Sequence, residues 1–324
     1  MRRTSPTGPL PGMAAVHPRR ERGRRHSGRR RLGVVTTLVV VASLTMSVGP
    51  SAGDASLASV PSVPSVPSVG SASYYLSVGD SLAQGYQPIG GPHSNSSAVG
   101  YAHGYADQLL DLAQGGGSER LRLVKLGCGG ESTASMIADS RCPYETGSQL
   151  GDAVKFLDEH AGEVAFVTIN IGSNDLVLDC GVDPVCAAAQ IATNLPHILT
   201  TLRQHAGPDV PIIGMNYYSP FVVEWFDSPI VGVLAAWATV AFNDVLELVY
   251  GLHRVPVADV ESAFAVTDFV TQRHLTGVGL VPLSVYNACT LTWYCTGPPL
   301  GPDIHANTAG HGVIAATLAD TLGV

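Results

Sequence analysis

Four short stretches of this 324-residue chain carry groups able to do chemistry on a carbonyl. Gly79-Asp80-Ser81-Leu82 places a hydroxyl directly after the apolar run Tyr74-Tyr75-Leu76-Ser77-Val78. Gly127-Cys128-Gly129-Gly130-Glu131-Ser132 is a glycine-rich turn, whose open backbone N–H groups suit an oxyanion. Gly172-Ser173-Asn174-Asp175 adds a side-chain amide after the strongest apolar run in the chain. Asp303-Ile304-His305-Ala306-Asn307 sets an imidazole just before a final Ala-rich segment. A serine hydroxyl is a weak nucleophile until a base takes its proton, and histidine is the usual base near neutral pH. Each stretch alone has a plainer reading. Ser81 suits a helix cap, the glycines and Asn174 suit turns, and a lone histidine is more often packed than reactive. Together they bring a hydroxyl, an imidazole and candidate oxyanion donors into one chain.

Such groups need a scaffold that brings distant segments to one place. The chain alternates strand-like and helix-like stretches from residue 74 onward. Strands are expected near 74–78, 121–126, 164–171, 211–216 and 255–259, the last at a sheet edge because of Pro256. Helices are expected over 98–113, 148–160, 184–206, 229–251 and 307–322, with Pro196 kinking or splitting the third. Alternation of this kind implies a parallel sheet covered on both faces. Ligands of such sheets bind outside the strands' C-terminal ends, where the first three stretches fall, while the fourth lies just before the last expected helix.

Charge separates the N-terminus from the rest. Ten of the 18 basic residues, all arginines, and one of the 26 acidic residues lie in 1–52. The remainder therefore holds 8 basic against 25 acidic residues, a net charge of −17, which opposes nucleic-acid binding. The arginine-rich segment precedes the apolar run Leu32–Leu44 and a small-residue exit near Ser51-Ala52-Gly53, the layout of an export signal over 1–55. Cleavage and retention as a membrane anchor both remain open, and either leaves the body outside the cytoplasm, secreted or in the cell envelope. The Val-Pro-Ser repeats of 56–72 read as a stiff linker. The folded domain then spans 73–324. All six cysteines lie in it, and their spacing favours disulfides Cys128–Cys142, Cys180–Cys186 and Cys289–Cys295.

Taken in order, the four stretches resemble the SGNH (GDSL) hydrolase family, through Gly79-Asp80-Ser81-Leu82, Gly130, Gly172-Ser173-Asn174-Asp175 and Asp303-Ile304-His305. The resemblance implies a three-layer α/β/α sandwich with a five-stranded parallel, flavodoxin-like sheet. It implies ester hydrolysis with Ser81 as nucleophile and His305 as base. The oxyanion donors would be the backbone N–H groups of Ser81 and Gly130 and the side chain of Asn174. One departure stands out. The family usually places its orienting Asp three residues before the His, where this chain has Pro302. Either Asp303 or a backbone carbonyl near 302 would then orient His305. His311 is read as structural or lining.

The resulting expectation is an exported, monomeric serine hydrolase cleaving a small-molecule or lipid carboxylic ester, needing no metal or cofactor. Apolar residues along 217–240 tilt the reading toward acyl chains and allow membrane proximity. A carbohydrate acetyl esterase and a catalytically inactive binding module on the same fold are the alternatives.

Overall fold

Unbroken runs of branched and aromatic residues form strands when both sheet faces are covered. The structure is a computed structural model, of which residues 73–88, 103–116 and 120–324 are described. The expected export signal and linker lie outside the described residues. Five runs form one parallel sheet: β1 (Tyr74–Gly79), β2 (Arg122–Lys125), β3 (Val164–Asn170), β4 (Ile212–Met215) and β5 (Val257–Ala258). Their order is β2-β1-β3-β4-β5. Every residue of β3 is buried, as its apolar sequence requires.

This order positions the site. The chain leaves β1 for β2 on one side, then returns to β3 on the other. At such a reversal the connections diverge and a crevice opens beyond the strand ends. Gly79 pairs in register with Asn170, so the chain segments leaving β1 and β3 emerge side by side. Gly79 sits at φ 137°, and a Cβ there would come within 2.0 Å of the Asn170 carbonyl oxygen. Only glycine allows the two strand ends to approach so closely.

Helices cover both faces of the sheet. They are α1 (Ser81–Gln84), α2 (Tyr105–Gly115), α3 (Thr133–Ile137), α4 (Gln149–Glu159), α5 (Pro184–Ala206), α6 (Pro229–Leu252), α7 (Val260–Ala263), α8 (Leu283–Leu291) and α9 (Thr308–Leu322). A π-turn (Asp175–Asp179) follows β3, and a 3₁₀ turn (Pro220–Phe226) follows β4. Pro196, expected to kink or split this run, does not split α5. Ile191, Leu195, Ile198, Leu199 and Leu202 are buried on both sides of the proline. Each such side chain contributes about 1.5–3 kcal/mol, so the five together exceed the ~3 kcal/mol cost of one interior proline. Pro256 directly precedes β5, which is an edge strand as expected.

An antiparallel hairpin of β6 (Gln272–Leu275) and β7 (Gly279–Pro282) stands apart from the main sheet. Four of its eight residues are exposed and only Val281 and Pro282 are buried, so no apolar pattern announced it. The three disulfides pair as their spacing suggests: Cys128–Cys142, Cys180–Cys186 and Cys289–Cys295.

Candidate active site

Ser81 opens α1 directly beyond β1. Asp80, not Ser81, caps this helix, its carboxylate accepting from the Leu82 N–H at 2.9 Å. The cap frees the Ser81 hydroxyl. The Oγ lies 2.8 Å from Nε2 of His305, 224 residues away in sequence. On the other side of the ring, Nδ1 lies 2.7 Å from Oδ1 of Asp303. A carboxylate can only accept, so Nδ1 carries the ring proton and Nε2 is left to accept from Ser81.

The same Asp303 oxygen also accepts the backbone N–H of His305 at 2.9 Å. An Asp side chain commonly caps its own backbone two residues on. That turn curls the chain so that an Asp at this short spacing reaches the ring. Burial raises the Asp303 carboxyl, but the hydrogen bond and charge of His305 and its backbone N–H outweigh it and hold Asp303 below its ordinary value.

The His305 segment is braced from three sides. Thr292 bridges Ala306, the Trp293 N–H donates to the His305 carbonyl at 3.0 Å, and the Tyr218 hydroxyl donates to the Ile304 carbonyl at 3.0 Å. Tyr86 packs on the imidazole at 4.4 Å between ring centres.

Gly130 and Asn174 line the same cleft as Ser81 and His305. Gly130 sits at φ 82°, a conformation glycine adopts without strain. Among the described residues, neither the Gly130 nor the Ser81 N–H donates to another group. Asn174 Nδ2 donates to the Glu131 carbonyl at 2.9 Å, which fixes the amide and leaves its second N–H available. Its neighbour Asp175 accepts from the Thr133 N–H at 2.8 Å and from the Thr133 hydroxyl. These contacts lock the turn after β3 onto the glycine turn after β2.

A match to the model of the GDSL-like Lipase/Acylhydrolase family spans residues 77–313, from β1 into α9 and across all four stretches. The chain belongs to this family. No curated protein matches it in sequence. An acetylxylan esterase from Geobacillus stearothermophilus is 17% identical, with TM-score 0.48 over 79% of this chain and 96% of its own. An alpha/beta hydrolase enzyme from the metagenome of Lake Arreo, Spain, is 20% identical, with TM-score 0.44 over 79% of this chain and 97% of its own.

In this GDSL-like hydrolase, two residues bear on the site beyond those the sequence pattern brought forward. Gln149, fully buried, clasps the Gly79 peptide: Oε1 accepts from its N–H at 2.6 Å and Nε2 donates to its carbonyl at 2.9 Å. A polar residue sharing a helix face with buried Ala153 and Leu157 was the available signal. Tyr217, first grouped with an apolar stripe, donates its hydroxyl to Asp80 at 2.7 Å.

Asp80 is fully buried, and among the described residues no cation pairs with it. Leu82 N–H, Asn170 Nδ2 (2.6 Å), Ser173 Oγ (2.8 Å) and Tyr217 together satisfy both its oxygens. Burial raises its carboxyl, and those four donors oppose the rise. The carboxylate thereby ties the ends of β1, β3 and β4 together beneath Ser81. His311 is structural rather than lining: it is buried, and its Nδ1 accepts the Tyr105 N–H at 3.1 Å. Among the described residues no His, Cys, Asp and Glu side chains cluster to hold a metal.

The cleft has a volume of about 910 Å³. Leu176, Val177, Leu178, Phe221 and Phe242 are among its apolar lining, and Arg141 and His305 supply its basic groups. Arg141 is paired with Asp179 at 2.6 Å.

Proposed function

We propose that this GDSL-like hydrolase is an exported serine esterase of lipase type, cleaving carboxylic esters that carry an acyl chain. The Ser81–His305–Asp303 relay carries the reading. In the proposed reaction Ser81 Oγ attacks the ester carbonyl carbon while His305 Nε2 takes its proton. The carbonyl oxygen becomes an oxyanion, held by the N–H groups of Ser81 and Gly130 and the amide of Asn174. Collapse expels the alcohol, which takes the proton from His305. Water, activated by the same imidazole, then releases the acid from Ser81. Asp303 would hold the ring and stabilise the imidazolium.

The apolar side chains Leu176, Val177, Leu178, Phe221 and Phe242 favour an acyl chain over an acetylated sugar, whose hydroxyls would gain no hydrogen bonds from them. The N-terminal arginine-rich and apolar segments, with three disulfides, support export.

A serine-directed fluorophosphonate should label the protein at Ser81 and fail to label Ser81→Ala. Rates on 4-nitrophenyl esters should rise from acetate toward medium chains. Equal labelling of Ser81→Ala would overturn the nucleophile, and a preference for acetylated xylan would overturn the acyl specificity.

A further inference from the structure

Helix α6 is apolar on two faces. Gly232, Ala236, Asn243, Leu246 and Tyr250 face inward and are buried. Gly232 has no room for a side chain, since a Cβ there would lie 2.6 Å from the Trp225 Cβ of the 3₁₀ turn. A soluble helix normally turns charged residues outward opposite such a stripe. The first half of α6 does not. Ile230, Leu234 and Trp237, at helical spacing, are 72%, 58% and 59% exposed. No charged residue occurs from Ser228 to Asn243; the flanking charges are Asp227 and Asp244.

This face continues into the cleft. Ala235, Ala238, Thr239 and Phe242 of the same helix line it, and Ala238 is itself exposed at the mouth. Other parts of the rim are alike: Leu178, Phe221 and Ile304 line the cleft and are also exposed. Exposed apolar side chains therefore lie both on α6 and at several points of the opening, beside the ion-paired Arg141. Contiguous patches of this kind on a protein surface mark an interaction site.

We propose that the outer face of α6 and the cleft rim dock on an uncharged or zwitterionic lipid surface, from which the ester enters the cleft. The inference rests on the acyl-ester reading for its substrate. Two observations select the occupant. A second copy seated over Trp237 and burying the ~800 Å² per partner of a stable dimer would cover the mouth at Ala238 and close the site. A lipid surface in the same place supplies the substrate. The α6 face carries no Lys or Arg, the one arginine lining the cleft, Arg141, is paired with Asp179, and the body's net charge of −17 repels anionic headgroups, which leaves neutral or zwitterionic lipid. An exposed Trp suits the bilayer interface, with its ring buried among acyl chains and its N–H still hydrated.

The test uses the full chain carrying Ser81→Ala and phosphatidylcholine vesicles with brominated acyl chains. Bromine quenches only nearby indoles, so emission should drop on vesicle addition, and Trp237→Phe should abolish most of that drop. Adding Ile230→Asp and Leu234→Asp should weaken vesicle binding about tenfold or more. In the chain with Ser81 intact, the same two substitutions should leave turnover of soluble 4-nitrophenyl acetate within about twofold. Absence of Trp237 quenching would overturn the proposal. So would a parent protein that is dimeric and becomes monomeric on the Asp substitutions, which would assign the face to a second copy. Quenching at Trp237 without any ester turnover would instead uphold the docking face and fail the hydrolase reading.

Discussion

The Tyr217 hydroxyl donates to the Asp80 carboxylate at 2.7 Å, joining residues 137 apart beneath the Ser81 turn. Asp80 is raised by burial, so its ionisation in the fold costs stability as pH rises from its unfolded value through its folded one. Tyr217 offsets part of that cost. Tyr217→Phe should therefore lose about 1.5–3 kcal/mol at pH 7, the range for a hydrogen bond to a charged group. The loss should shrink as pH falls and Asp80 takes up its proton. Urea unfolding of both proteins at pH 7 and pH 4 checks this; an equal loss at both values would mean that the hydroxyl does not serve the carboxylate.

Asp303 uses one oxygen for both the ring and the backbone N–H of His305. An Asn in its place keeps that oxygen and loses only the charge. Asp303→Asn should accordingly retain more kcat than Asp303→Ala, which loses orientation as well. Both should fall at least about tenfold below the parent. If Asn is the worse substitution, its NH₂ has turned to the ring and imposed the wrong tautomer. If neither variant differs from the parent, another acceptor orients the imidazole.

Much of this arrangement was legible from sequence, for identifiable reasons. β1, β3 and β4 are largely apolar runs ended by glycine or polar residues, so their places and the polar groups at their ends could be read together. The spacing of the cysteines likewise indicated the three pairs found. What could not be read were contacts set by the meeting of strand ends. Nothing local to Gln149 says that its amide will embrace the Gly79 peptide 70 positions away. Tyr217 reads as apolar because its ring is; only the adjacency of β1, β3 and β4 aims its hydroxyl at Asp80. The reach of Asp303 depends on a side-chain-capped turn that a fixed spacing rule overlooks.

Asn174 has one N–H committed to the Glu131 carbonyl and one facing the cleft. Removing an oxyanion donor costs about 10²–10³ in turnover while leaving ground-state binding nearly intact. Asn174→Ala should lower kcat by that factor with KM within about threefold. Circular dichroism and the melting midpoint would establish that the variant folds. A folded variant with unchanged kcat would remove Asn174 from the oxyanion site.

His311 carries a pH dependence of stability that is separate from the reaction. Burial pushes its imidazole down to about 3, against about 6.5 when unfolded. Near neutral pH both states are neutral and no stability is lost. Below about pH 6.5 the unfolded chain binds a proton that the folded one refuses, so stability falls as pH drops, until the folded imidazole protonates near 3. One proton corresponds to about 1.4 kcal/mol per pH unit. His311→Asn retains an acceptor for the Tyr105 N–H and removes the titration. Its absolute stability will be lower because Asn is smaller, but its stability curve between pH 6 and pH 4 should be flatter than the parent's by about that slope. Parallel curves for the two proteins over this interval would show that His311 is protonated within the fold.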